Sequence, residues 1–245
     1  MVQSCARLVG ARAKVCAWVA TAILGVCQAR TASAAPVELS ETAEQPGVVI
    51  YPARASGARP ITVVLHGMCS EPSNACRHFA NQVAETDHLI CPRASRRCEG
   101  GGSIWPQRGF AEQVELAVER AKASLPEPAD ETRGRTLIGY SLGAFRALEI
   151  AQHGAGRYPR VMLIGAKIFP SATLLEKNGV QRLLLSAGSW DMMHDHMQRE
   201  TRRLSRAGFN AQFLGLGPVG HFFTPSFAEY LPSALDWLNG ASRLE

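Results

Sequence analysis

Three residues of this chain have the types and the order needed for nucleophilic acyl transfer: Ser141, Asp191 and His221. A serine hydroxyl is a poor nucleophile at neutral pH. It needs a base to take its proton, and the base needs an acid to orient it. Ser141 sits in Gly139-Tyr140-Ser141-Leu142-Gly143, after the apolar run Thr136-Leu137-Ile138 and before a helical pattern. That context is a strand, a sharp turn and a helix with the serine at the apex. Both glycines are required, because side chains two residues either side of the serine would strike the strand and helix packed there. Asp191 follows Leu183-Leu184-Leu185 through the small-residue loop Ser186-Ala187-Gly188-Ser189-Trp190, and His221 follows Gly217-Pro218-Val219-Gly220. Asp195 is a rival acid on the same connection. It lies one turn into the helix that begins near Met192, roughly 6 Å further along its axis, and loop position favours Asp191. The plainer alternatives are a serine in a glycine turn, a helix N-cap at Asp191 and a structural histidine at a sheet edge.

The surrounding pattern supplies the frame for these three side chains. Strands are predicted at Ile61–Leu65, His88–Cys91, Thr136–Ile138, Val161–Ile164, Arg182–Leu185 and Gln212–Leu216, with an antiparallel edge strand at Gly47–Tyr51. Helices are predicted at Ser73–Glu85, Phe110–Leu125, Met193–Ala207 and Phe227–Leu238, and another follows the elbow with Leu142, Phe145, Leu148 and Ala151 on its buried face. Such alternation predicts an α/β fold: three layers, a mostly parallel sheet with helices on both faces. The short stretch between the strands at 161 and 182 leaves no room for a large lid domain. Ser141, Asp191 and His221 all fall just past the C-terminal ends of strands, the edge where open α/β sheets bind ligands.

Acyl transfer also needs donors for the developing oxyanion. The backbone N–H of Leu142 is one, and Met68, in His66-Gly67-Met68-Cys69 after the strand at 61–65, is predicted to supply the other. His66 is read as holding that loop. Trp105, in the glycine-rich loop 100–109, reads first as loop packing, with lining of the substrate pocket as the alternative, and Tyr140 is a candidate for lining that pocket. His194-Asp195-His196 suggests a metal, but residues two apart on a helix point in different directions. The reading names no metal and no cofactor.

With His66-Gly67-Met68, Gly139-Tyr140-Ser141-Leu142-Gly143, Gly188-Ser189-Trp190-Asp191 and Gly220-His221 in this order, the chain resembles the α/β-hydrolase superfamily over roughly residues 47–240. It is similar to the small dienelactone-hydrolase-like and carboxylesterase-like serine hydrolases. The resemblance implies hydrolysis of a small-molecule acyl substrate, an ester foremost, through an acyl-enzyme. A serine peptidase or aminoacyl hydrolase on the same triad, or a non-catalytic binding domain, are the alternatives. The loop His-Gly-Met-Cys departs from the His-Gly-Gly-Gly of many esterases, and four clustered cysteines are not a general feature of the superfamily.

The N-terminal 34 residues read as a signal peptide. Arg7, Arg12 and Lys14 precede the mostly apolar run Val15–Cys27, and Ala32-Ser33-Ala34 offers a cleavage site. The run is too short to span a bilayer with margin, which needs about 20 apolar residues; an uncleaved anchor is the alternative. Residues 35–245 then form a single domain, periplasmic or extracellular, with no stable membrane span after cleavage. The segment holds four of the 26 Lys and Arg and no acid, so the remainder carries 22 basic against 21 acidic residues. That balance offers nothing to nucleic acid, and Arg93, Arg96 and Arg97 read as a solvated loop. Four cysteines remain, Cys69, Cys76, Cys91 and Cys98. An even number in an exported chain predicts two disulfides, with Cys69–Cys76 and Cys91–Cys98 favoured on spacing and zinc as the alternative.

Overall fold

Runs such as Ile61-Thr62-Val63-Val64-Leu65 and Arg182-Leu183-Leu184-Leu185 have apolar side chains at both parities, so they are stable only where both faces of a strand are covered. The computed structural model, which describes residues 35–154, 156–241 and 244, places them in that setting. The predicted leader, residues 1–34, lies outside the described residues. Among the described residues ten strands follow in order: β1 (Val37–Leu39), β2 (Val48–Tyr51), β3 (Ile61–Leu65), β4 (His88–Pro92), β5 (Arg96–Arg97), β6 (Ser103–Ile104), β7 (Thr136–Tyr140), β8 (Arg160–Ile164), β9 (Arg182–Ala187) and β10 (Ala211–Gly215). The helices are α1 (Pro72–Cys76), α2 (Ala80–Thr86), α3 (Phe110–Lys122), α4 (Leu142–His153), α5 (Ala172–Lys177), α6 (His194–Arg206) and α7 (Phe227–Leu238).

Eight strands form one sheet in the order β1-β2-β4-β3-β7-β8-β9-β10. β1 pairs antiparallel with β2, and β2 with β4; every other neighbour is parallel. Alternate strand residues face opposite layers. Val63, Leu65, Leu137, Leu163, Leu183 and Leu185 join the buried side chains of α3, α4, α5 and α6. Val64, Ile138, Met162, Ile164 and Leu184 join those of α1, α2 and α7. The three-layer architecture predicted from the alternation is therefore present, and among the described residues the connection from β8 to β9 carries α5 and no lid domain. The parallel strands end in register: Leu65 opposes Gly139, Gly139 opposes Leu163, Leu163 opposes Leu185 and Leu185 opposes Phe213. The loops after β3, β7, β8, β9 and β10 consequently emerge at one edge.

Several predicted elements are corrected. The helix foreseen over 73–85 is two helices, separated by a turn in which Arg77 N–H donates to Ser73 O and Phe79 N–H to Cys76 O. Cys76 is tied to β4 there, and Phe79 is turned into the cluster of Phe223 and Phe227. The predicted edge strand is antiparallel as foreseen but lies one in from the edge, because β1 covers it. Arg93 is not solvated: its largely buried guanidinium pairs with Glu38 and Glu71. Arg96 and Arg97 form a short antiparallel ladder with β6.

The favoured cysteine pairing is also overturned. The bridges are Cys69–Cys98 and Cys76–Cys91, with Cα–Cα separations of 5.7 Å and 6.3 Å. Spatial neighbours, not sequence spacing, decide this. α1 packs over β4, which lays Cys76 on Cys91 inside the core. Ser70 exchanges backbone hydrogen bonds with Ser103 at 3.2 Å and 3.1 Å, which brings Cys69 against the β5–β6 segment holding Cys98. Non-reducing peptide mapping should recover Cys69 linked to Cys98 and Cys76 linked to Cys91. Replacing Cys76 and Cys91 together by serine should cost ~3 kcal/mol in urea unfolding, the usual scale for a loop of that length. A Cys69–Cys76 peptide would contradict the packing described.

Candidate active site

Ser141 stands between β7 and α4 with φ 54° and ψ −118°, a backbone conformation that a non-glycine residue adopts only at a local cost. Ser141 N–H donates to Ile164 O at 2.9 Å, and Ala144 N–H donates to Ser141 O at 3.0 Å, so both sides of the turn are tied. Its flanking glycines are required by contact. A Cβ on Gly139 would lie 2.4 Å from Gly143 O, and one on Gly143 would lie 2.2 Å from Leu65 O. Helix α4 thus starts in backbone contact with β3 and β7, as predicted from the sequence.

His221 and Asp191 come from loops that hydrogen-bond each other. Ser189 N–H donates to Gly217 O at 2.9 Å and Trp190 N–H to Val219 O at 3.1 Å. The residue beside the serine adds a third tie, with the Tyr140 hydroxyl donating to His221 O at 2.7 Å and its ring stacked on the imidazole at 5.4 Å. Burial, and to a lesser degree the Asp191 carboxylate, pushes the Tyr140 phenol up to about 12, so it remains a neutral donor. The structure brings together the three side chains singled out in the sequence. His221 Nε2 is 2.9 Å from Ser141 Oγ, and His221 Nδ1 is 2.9 Å from Asp191 Oδ2. With Nδ1–H donating to the carboxylate, Nε2 presents its lone pair to the serine hydroxyl. Asp191 is buried, and its Oδ1 accepts from Met193 N–H at 2.9 Å in the turn before α6; the helix N-cap is Met193, so the capping alternative for Asp191 does not hold. Asp195 is 81% exposed and bonded to His194, away from the imidazole.

The loop after β3 lies against Ser141: a Cβ on Gly67 would be 3.4 Å from Ser141 Cβ. His66 holds this loop from below. Its Nδ1–H donates to Gly67 O at 2.8 Å, and its Nε2 accepts from Ala94 N–H at 3.2 Å. Trp105 packs within its loop, as the first of its two readings has it, and does not line the cavity beside Ser141. It is buried, its indole N–H donates to His66 O at 2.9 Å, and its ring lies 5.0 Å from the imidazole. Tyr140 likewise supports the His221 loop and does not line the main cavity.

That cavity, of about 550 Å³, opens beside the serine and is lined by Phe145, Gly165, Ala166, Lys167, Trp190, Met192 and Met193 together with the three polar residues. Phe145, foreseen on the buried face of its helix, is 43% exposed here; the buried face is formed by Ala144, Ala147, Leu148 and Ala151. Gly165 escaped the sequence reading. It has φ 61°, and a Cβ there would lie 3.0 Å from His221 Cε1 and 3.1 Å from Asp191 Oδ2. Its signal was available: it directly follows an apolar strand, two strands from Gly67 in the same sheet edge. His196 Nε2–H donates to Ile168 O at 2.6 Å, while His194 meets Asp195, so the two histidines do not converge. Among the described residues no group of three His, Cys, Asp or Glu could hold a metal ion.

No family model and no curated protein sequence matches the chain. Solved structures do. Fluorophosphonate-binding serine hydrolase F of Staphylococcus aureus is 15% identical, over 84% of this chain and 99% of that one, with a TM-score of 0.63. An S-formylglutathione hydrolase from Agrobacterium tumefaciens is 14% identical over 86% and 95%, with a TM-score of 0.61. Zea mays acyl-protein thioesterase 2 is 21% identical over 79% and 99%, with a TM-score of 0.55. The chain has the α/β-hydrolase fold. At these identities the likeness is one of fold, and function rests on the site's own chemistry.

The buried histidine gives a test of how the loop is held. Burial lowers the His66 pKa from 6.5 to about 4, so the folded protein keeps it neutral where an unfolded chain takes up a proton. Its contribution is complete above about pH 6.5 and is lost as pH falls toward 4. A shift of that size amounts to ~3 kcal/mol, at about 1.4 kcal/mol per unit. In urea unfolding, the stability gap between the wild type and His66→Gln should narrow by that order between pH 7 and pH 4. A gap that stays constant would show that His66 is not held neutral.

Proposed function

We propose that this protein is an exported serine hydrolase that cleaves carboxylic esters, with Ser141 as nucleophile, His221 as base and Asp191 as the acid that orients it. The observation that carries the reading is the unbroken chain Ser141 Oγ, His221 Nε2, His221 Nδ1, Asp191 Oδ2, with 2.9 Å at each hydrogen bond. Ser141 Oγ attacks the acyl carbonyl as its proton passes to His221 Nε2. The imidazolium is stabilised by Asp191 and returns the proton to the leaving alkoxide. Water then attacks the acyl-serine by the same proton path and frees the acid. The tetrahedral oxyanion of each half-reaction is taken by the backbone N–H groups of Leu142, at the start of α4, and of Met68, on the loop seated against Ser141. No step in this scheme calls for a cofactor.

The mostly apolar cavity beside Ser141 favours an uncharged acyl group over an aminoacyl one. Thioesters belong in the substrate panel, because two of the similar structures are named as an S-formylglutathione hydrolase and an acyl-protein thioesterase. The two disulfide-bonded pairs suit an oxidising compartment. This supports removal of residues 1–34 as a signal peptide and residues 35–245 as the mature single domain. Among the described residues no helix is long and apolar enough to cross a membrane.

Turnover of p-nitrophenyl acetate tests the roles residue by residue. Ser141→Ala should abolish it while the circular dichroism spectrum stays unchanged. Asp191→Asn should lower kcat by up to ~10⁴-fold, through loss of the correct imidazole tautomer. Asp195→Asn should change kcat by less than about tenfold, since its carboxylate is solvated and makes no contact with His221. Full activity in Ser141→Ala, or the reverse ranking of the two aspartates, would overturn the assignment.

A further inference from the structure

Large apolar side chains exposed to water are ordinarily scattered over a protein surface. In this protein they are not. Eight are exposed among the described residues, and six of them, Met68, Phe145, Phe169, Trp190, Met192 and Phe222, belong to the segments that follow β3, β7, β8, β9 and β10. Each of the five connections that build the site contributes at least one. Trp190 is 73% exposed and Met192 88% exposed, values that leave most of each side chain without a protein neighbour. The remaining two, Val37 and Leu116, lie on β1 and α3.

We propose that this rim is a docking surface for the substrate phase itself: the enzyme acts on uncharged acyl esters gathered into an aggregate, with the rim resting on the apolar boundary while one ester enters the cavity. The inference rests on the hydrolase reading of Ser141 and names the physical state of its substrate. Three observations select this occupant. Trp190, Met192 and Phe145 belong both to the rim and to the lining of the 550 Å³ cavity, so whatever covers the rim also closes the cavity. A protein partner seated there would block turnover, whereas a substrate phase would feed it. Next, the exposed residues are distributed over all five connections. One acyl chain leaving the cavity would touch one side of such a ring, but an extended apolar surface touches all of it. Finally, Phe169 and Phe222 stand outside the cavity lining, on the connections after β8 and β10, where they add apolar area beyond the cavity itself.

Tributyrin provides the probe, since it can be offered as monomers and, above its solubility limit, as emulsion droplets. Rate per enzyme should rise several-fold as the concentration crosses that limit, and Ser141→Ala should float with the droplets in a density gradient. Phe169→Ser should cut both droplet turnover and flotation at least fivefold while leaving p-nitrophenyl acetate turnover within about twofold of wild type. Leu116→Ser, which removes another exposed apolar side chain, from α3, should change neither. A rate that saturates smoothly through the solubility limit, with no flotation of Ser141→Ala, would overturn the proposal while leaving the hydrolase reading intact if p-nitrophenyl acetate is still cleaved. Flotation of Ser141→Ala by a protein that hydrolyses no ester would instead retain the surface and remove the hydrolase reading. A dimer in sedimentation equilibrium that Phe169→Ser dissociates would make a second copy of the chain the occupant, and would also overturn it.

Discussion

The backbone contact between the first turn of α4 and the ends of β3 and β7 is the constraint from which the rest of the site follows. With no side chain at Gly139 or Gly143, the helix starts close enough for Gly143 to lie under the Leu65 carbonyl. The chain must then reverse within one residue, and Ser141 takes up a positive φ. Such a conformation costs of order 1–3 kcal/mol and persists only where surroundings over-determine it. Here those surroundings are two backbone hydrogen bonds, the parallel register of five strands and a helix packed on the sheet. The consequence is that the serine hydroxyl is raised above the sheet edge, where residues from other loops can reach it.

The second layer of control is polar and local. A single hydrogen bond contributes only about 1 kcal/mol net, so no one contact holds the imidazole in place. Several act together on His221. The loops at 188–190 and 217–219 are bonded to each other, Tyr140 grips the His221 carbonyl, and Asp191 divides its two oxygens between His221 and the turn that opens α6. On the other side, His66 and Trp105 brace the loop carrying Met68, and Cys69 is fastened to Cys98 immediately after it. Polar groups and one covalent bond fix the arrangement of Ser141, His221 and Asp191. The large apolar side chains on the same loops are left exposed.

The sequence was most legible where local sterics and strand periodicity act alone. The elbow, the three polar residues in order and the alternation of strands and helices are properties of short segments, and each segment carries its own signature. The rest depends on neighbours distant in the chain. Cys76 meets Cys91 because α1 packs on β4, which no spacing of seven residues encodes. Phe145 has the spacing of a core residue, but the cavity takes the place where a partner would have packed. The place of Trp105 in a glycine-rich loop suggests packing but not its partner, the buried His66 carbonyl distant in the chain. Gly165 carried a readable signal, a glycine directly after an apolar strand, whose meaning appears only once His221 and Asp191 are seen to pack over it.

The central claim is that Ser141, and no other serine, is made nucleophilic by its surroundings. It is tested most directly by incubating the folded protein with a fluorophosphonate and locating the adduct by peptide mass spectrometry. A single phosphonyl group on the peptide containing Ser141, absent when His221 is replaced by alanine, is the result predicted. An unlabelled protein, or an adduct carried on another residue, would contradict it.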